Sequence, residues 1–143
     1  MEERFSGLNK KIRDFFDSHN ISAPSQSFSI TFASDALLKD NYGRFVSRLE
    51  PEMILPALAG KVSLVFSCCS LTKVSGWNQA WSLPKRDELA LAKGSVFLFE
   101  SSENLQAAEI NQLIKELSLL ETRGVGSRRN EGFGKVMICD PFH

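Results

Sequence analysis

Histidine is almost missing from this chain of 143 residues. His19 and His143 are the only two, and neither has a serine, cysteine or carboxylate arrangement that would mark a catalytic triad. Cysteine is scarce as well. Cys68 and Cys69 are adjacent and Cys139 is remote, so no metal-ligand spacing exists and buried, reduced thiols are the expectation. No apolar run approaches a membrane span, and Met1-Glu2-Glu3-Arg4 lacks the pattern of a signal peptide. These absences predict a cytoplasmic chain with no membrane partner, no metal site and no cofactor. Net charge is lacking too: 17 Lys and Arg balance 17 Asp and Glu. Any surface for a polyanion must therefore come from local asymmetry.

What the chain does have is glycine and arginine in one place. Arg123-Gly124-Val125-Gly126-Ser127-Arg128-Arg129-Asn130-Glu131-Gly132-Phe133-Gly134-Lys135 packs four glycines and four cations into one stretch. Glycine reaches positive φ and lets another backbone approach. Arginine offers a planar donor fork that matches phosphate oxygens. The order of elements excludes the common nucleotide motifs. A dinucleotide fingerprint needs a strand before its glycines and a helix after them, and here a helix precedes and a strand follows. A phosphate loop needs Gly-Lys before Ser or Thr, whereas Gly134-Lys135 precedes Val136. A second window, from Lys73 to Lys93, sets Lys73, Lys85, Arg86 and Lys93 against Asp87 and Glu88.

The length fits a single domain over residues 1–143, burying roughly 70% of its unfolded surface. Phe5, Leu8, Ile12, Phe15 and Phe16 recur at helical spacing and predict a helix over residues 1–20. Ser22-Ala23-Pro24-Ser25 breaks it. The core of the domain then spans 27–140. Phe28, Ile30 and Phe32 alternate as in a half-buried strand, and Ser34-Asp35 predicts a helix cap. Gly43 to Leu58 carries a helical face split at Glu50-Pro51 into two short helices. Val62, Leu64 and Phe66 mark a second strand, Ser70 to Lys93 a long polar loop, and Ser95 to Phe99 a third strand. Ser102 is the expected cap of a helix carrying Ile110, Leu113, Ile114, Leu117 and Leu120, and Phe133 to Cys139 is the last strand. The fold class is α+β: one ferredoxin-like (RRM-like) β-α-β-β-α-β domain with an extra N-terminal helix and a glycine-rich loop between last helix and last strand.

A ferredoxin-like domain with such a loop at this place resembles the RAMP superfamily of CRISPR-associated proteins. Three further segments resemble the Csx-ten family within it: Phe28 to Leu38, Val74-Ser75-Gly76-Trp77-Asn78 with Trp81-Ser82-Leu83-Pro84, and Gly94-Ser95-Val96-Phe97-Leu98-Phe99. The resemblance spans about Phe28 to Asp140, as the C-terminal half of that family. It implies a structural subunit of a type III-D effector complex in antiviral defence, with CRISPR guide RNA and other RAMP and effector-complex subunits as partners. The family's proteins are usually longer. The chain is then either completed by a separate N-terminal half or a truncated product, and both stay open.

The RNA-binding candidates are Arg123, Gly124, Gly126, Arg128, Arg129, Gly132, Phe133, Gly134 and Lys135, with Arg128 and Arg129 foremost. Backbone N–H groups freed by the glycines would add donors for phosphate. Arg123 also suits the helix C-terminus without any ligand, and Phe133 suits either a stacked base or the core. Trp77 and Trp81 are candidates for RNA stacking or a subunit interface. Three functions follow. The leading one is a non-catalytic RNA-binding subunit holding the guide by its backbone. An endoribonuclease of repeat RNA would have to use His19 as general acid or base. A protein-only assembly module would dock through the Trp77 to Trp81 segment.

Overall fold

The computed structural model describes residues 1–19, 26–78, 80–101 and 105–141, and of Trp77 the main chain alone. The chain is α+β. Its helices are α1 (Glu2–Ser18), the single turn α2 (Pro51–Ile54) and α3 (Ala107–Arg123). Its strands are β1 (Ser27–Phe32), β2 (Val62–Cys68), β3 (Leu71–Asn78), β4 (Leu83–Leu91), β5 (Val96–Ser101) and β6 (Val136–Ile138). Four strands form a sheet in the order β2-β5-β1-β6, with every pairing antiparallel. The other two, β3 and β4, form a hairpin of their own.

Strand alternation assigns the two faces of the four-stranded sheet. Phe28, Ile30, Phe32, Phe97, Phe99, Val136 and Ile138 turn inward and are buried together with Leu113 and Leu117 of α3. Phe28 and Phe99 stack at 5.2 Å between ring centroids, and Phe32 meets Phe97 edge-on at 5.9 Å. Burying each such ring contributes about 2–3 kcal/mol. The opposite face carries Ser29, Thr31, Leu98 and Met137 by the same alternation.

α1 lies against the start of β1. The Asn9 amide accepts the Ser27 N–H at 2.8 Å and donates to the Ser27 carbonyl at 2.9 Å. Arg4 grips Glu121 of α3 with two bonds, of 2.9 and 2.7 Å. Glu109 accepts the N–H of Gln106, at the start of α3, at 3.1 Å. Ser102, the expected cap of that helix, lies outside the described residues, as does the break at Ser22 to Ser25.

Four expectations are corrected. Gly43 to Glu50 is not helical, because the Asp40 carboxylate draws in the N–H groups of Tyr42 and Arg44 at 2.9 Å each and closes a tight turn at Gly43, φ 76°. Ser34-Asp35 caps no helix; the Asp35 carboxylate instead accepts the Lys93 N–H at 2.8 Å. The polar stretch from Ser70 to Lys93 is the β3–β4 hairpin. Its charged residues, such as Lys73 and Asp87, which pair diagonally across the hairpin at 2.6 Å, hide the alternation of a strand. Cys68 and Cys69 are exposed at the end of β2, and only Cys139 is buried.

The hairpin begins where the β2–β5 ladder ends. Cys68 pairs with Val96 at the end of the β2–β5 ladder, and Leu71 pairs with Leu91 at the start of the next. Between the two ladders the chain bends, with two residues on one strand against four on the other. This bend brings β4 over the glycine-rich segment.

Candidate nucleic-acid interface

Residues 124–135 join α3 to β6 and are anchored along most of their length. The Gly124 N–H closes α3 on Leu120 O at 2.7 Å. Val125 donates to Gly134 O at 2.8 Å, Ser127 to Leu37 O at 2.9 Å, and Gly134 to Asp35 O at 2.8 Å. Lys135 donates to Ser34 Oγ at 3.0 Å. The segment is thus stitched to residues 34–37, which follow β1. Glycine is required at the stitches. A Cβ on Gly134 would lie 1.8 Å from Val125 O, and one on Gly126 would lie 2.6 Å from Leu37 O, each at positive φ. Gly132 has φ 93° but open space around it.

Arg128 is held rather than presented. It adopts the left-handed region at φ 55°, ψ 33°, where a non-glycine residue persists only if its surroundings fix it. Its guanidinium donates to Glu131 through Nε at 3.0 Å and Nη2 at 2.5 Å, and to Glu88 of β4 at 3.3 Å. It also lies 5.0 Å over the Phe133 ring. Lys39 pairs with the same Glu88, and Lys85 reaches Glu131 at 3.7 Å. The Lys39 hydrogen bond holds Glu88 below the usual carboxylate range, and Arg128 does the same to Glu131. Hydrogen bonding to Glu131 raises the Arg128 pKa further. Phe133 is half-buried against Leu37, Val74 and Ala90. These contacts hold the Arg128 guanidinium and the Phe133 ring against the protein.

The remaining cations face out. Arg123, Arg129 and Lys135 are exposed, and none of the ion pairs among the described residues uses them. Arg123, Gly126, Ser127, Arg128, Arg129 and Asn130 line one shallow concavity. Among the described residues the N–H groups of Gly126, Arg129 and Asn130 have no protein acceptor, and Gly126 lies at φ 84° beside the left-handed Arg128. Successive main-chain donors in such turns form an anion-binding hollow. Lys93 is a further exposed cation, tied by its N–H to Asp35 while Lys135 is tied to Ser34.

A comparison with protein families decides what the chain is. The family described as CRISPR-associated protein (Cas_Cmr3) matches residues 9–141. The chain belongs to that family. It is accordingly a CRISPR-associated component, and the matched span includes all six strands, α3 and the glycine-rich segment. No curated protein matches the chain.

Within this CRISPR-associated protein the other candidates lie apart. Trp81 stands at the hairpin tip, 75% exposed, next to Leu83 at 57%. Trp77 pairs with Pro84 through its main chain, and its side chain lies outside the described residues. His19 follows α1, with its Nδ1 2.8 Å from Phe15 O and 3.0 Å from Ser18 Oγ and its ring 4.5 Å from that of Phe15. His143 lies outside the described residues. Among the described residues no group of three or more His, Cys, Asp or Glu could hold a metal ion, and no helix is long and apolar enough to cross a membrane. Sequence reasoning missed Lys39, Glu88 and the carbonyls of Asp35 and Leu37, which fix the loop. Glu88 is 40 residues from Arg128, and nothing local in the sequence signals the pairing.

Proposed function

We propose that the chain is a non-catalytic, RNA-binding structural subunit of a type III CRISPR effector complex, holding guide RNA by its phosphates. The observation that carries this reading is the concavity after α3, where exposed Arg123 and Arg129 flank unpaired N–H groups. Two further exposed cations are tied by their N–H groups to the adjacent residues, Lys135 to Ser34 and Lys93 to Asp35. Phosphate contacts of this kind position a strand without reading its bases. Base pairing by the guide would supply the sequence specificity.

The reading keeps Gly124, Gly126, Gly132 and Gly134 as the residues that shape the loop. Arg128 and Phe133 become its positioning residues. A ferredoxin-like domain over 27–140 agrees with the strand order β2-β5-β1-β6 and with a helix before β6, the hairpin being an insertion between β2 and β5. Placement in a type III-D complex, with a separate N-terminal half and other Cas subunits as neighbours, belongs to the same proposal.

A second reading is favoured by Trp81. An indole this exposed beside Leu83 suits a subunit contact, which would make the hairpin an assembly device. The test is co-expression of the tagged chain with its genomic neighbours and sequencing of the RNA that co-purifies. Repeat-derived guides with the native chain, lost on joint Arg123→Glu and Arg129→Glu while the partner subunits remain, is the expected result. Equal guide recovery from the charge-reversed chain would overturn RNA holding and leave the assembly reading.

A further inference from the structure

The glycine-rich segment is fastened unevenly. Ser127, Gly134 and Lys135 are tied to residues 34–37, but from Arg128 to Gly132 the main-chain hydrogen bonds among the described residues stay within the arc. Glu131 donates to Arg128 O at 3.0 Å and Gly132 to Arg129 O at 3.1 Å. Two ion pairs hold this arc to β4. Arg128 meets Glu88 at 3.3 Å, with side chains 20% and 25% exposed, and Lys85 meets Glu131 at 3.7 Å, with both at 39%. The first is shorter and better shielded from water, which strengthens an ion pair. Arg128 needs such an anchor, because its left-handed backbone is strained for a residue with a Cβ.

Arg129 comes next and depends on that anchor. Its Cδ lies 3.8 Å from the position a Cβ on Gly124 would take, so the side chain folds back beside the end of α3, where Arg123 stands. Arg123 and Arg129 line the same concavity, and no ion pair among the described residues offsets their repulsion. Their juxtaposition therefore comes from the loop. We infer that Glu88 of β4 is a positioning residue for RNA, clamping Arg128 and thereby keeping Arg129 beside Arg123 for the phosphates of one strand. The inference rests on the RNA-holding reading and brings the hairpin into its site. Its sign is opposite to that of charge alone. Glu88 is an anion near a polyanion site and also engages Lys39, so by charge alone its neutralisation tightens RNA binding. A clamp predicts weaker binding.

Fluorescence anisotropy of a single-stranded repeat RNA, titrated at several salt concentrations, tests it. Glu88→Gln should weaken binding at least about fivefold. It should also flatten the slope of log K against log salt from about −2 toward about −1.4, as loss of one phosphate contact does. Asp87→Asn, which removes the same charge one residue away and frees Lys73, should leave binding unchanged or tighter. In an Arg128→Gln background Glu88→Gln should weaken binding no further, because the clamp is already gone. Binding by Glu88→Gln equal to native, or weakened alike in both backgrounds, would overturn the inference. Amide exchange separates the clamp from the RNA reading. Glu131 and Gly132 should exchange at least about threefold faster in Glu88→Gln, with Ile30 and Phe99 unchanged. Unchanged exchange at Glu131 and Gly132 would overturn the clamp, whereas that loosening in a chain with no affinity for RNA would overturn RNA holding alone.

Discussion

Gly134 has the least room of the loop glycines. Its Cβ position falls on the Val125 carbonyl, whereas the Cβ position of Gly132 falls in open space at a comparable positive φ. Gly134→Ala should therefore cost about 3 kcal/mol or more, against about 1 kcal/mol for Gly132→Ala. Urea unfolding of the two variants checks the order; equal losses would mean that the loop is not packed as described. Arg128 and Arg129 divide in the same way. They are neighbours of one chemistry, yet Arg128 is locked by Glu131, Glu88 and the Phe133 ring while Arg129 is exposed. Arg128→Ala should lower stability by about 1 kcal/mol, and Arg129→Ala should leave it unchanged and weaken RNA binding. Paired unfolding and binding curves separate the two. The sequence showed both arginines as equals, because the carboxylate that distinguishes them lies in β4.

At the scale of elements, regular periodicity was readable and long-range clamping was not. β1, β5 and α3 announce themselves through Phe28-Ile30-Phe32, Phe97-Phe99 and Leu113-Leu117, since each buries one face in the common core. The β3–β4 hairpin hid itself: among its described side chains Val74, Ala90 and Leu91 are buried, Leu71, Leu83 and Leu89 are exposed, and five charged residues interrupt the pattern. The segment from Gly43 to Glu50 misled in the other direction. Phe45, Val46 and Leu49 fall at helical spacing, but Asp40 fixes a turn through main-chain bonds that no periodicity reports. The candidate site followed suit. Its glycines and exposed cations were legible, while the partners holding the loop were not. The hairpin tip carries its own prediction. With Trp81 75% exposed, Trp81→Ala should change stability by less than about 0.5 kcal/mol, while retention of neighbouring subunits falls in a pull-down. Full retention would remove the tip from the assembly reading.

At the scale of the whole molecule, three carboxylates are held in ion pairs, those of Glu121 and Glu88 joining distant parts of the chain. Glu121 is held below the usual range by Arg4 of α1, Glu88 by Lys39, and Glu131 by Arg128. A carboxyl group with a lower pKa in the folded than in the unfolded state adds stability that is complete above the unfolded value, about 4.3. That stability is lost as pH falls through the folded value. The urea midpoint should hold steady from pH 7 to about 5 and fall below about 4.3, with a shallower fall in Glu121→Gln. A midpoint unchanged down to pH 3 would contradict the clamps. The proposed function rests on a different set of charges, the exposed Arg123, Arg129 and Lys135, which would act on the phosphates of one strand. The most direct measurement is the salt dependence of binding to a single-stranded repeat RNA, followed by fluorescence anisotropy. Three phosphate contacts predict a slope of log K against log salt of about −2, falling to about −1.4 with Arg129→Ala. A slope near zero, or one that Arg129→Ala does not change, would contradict the account.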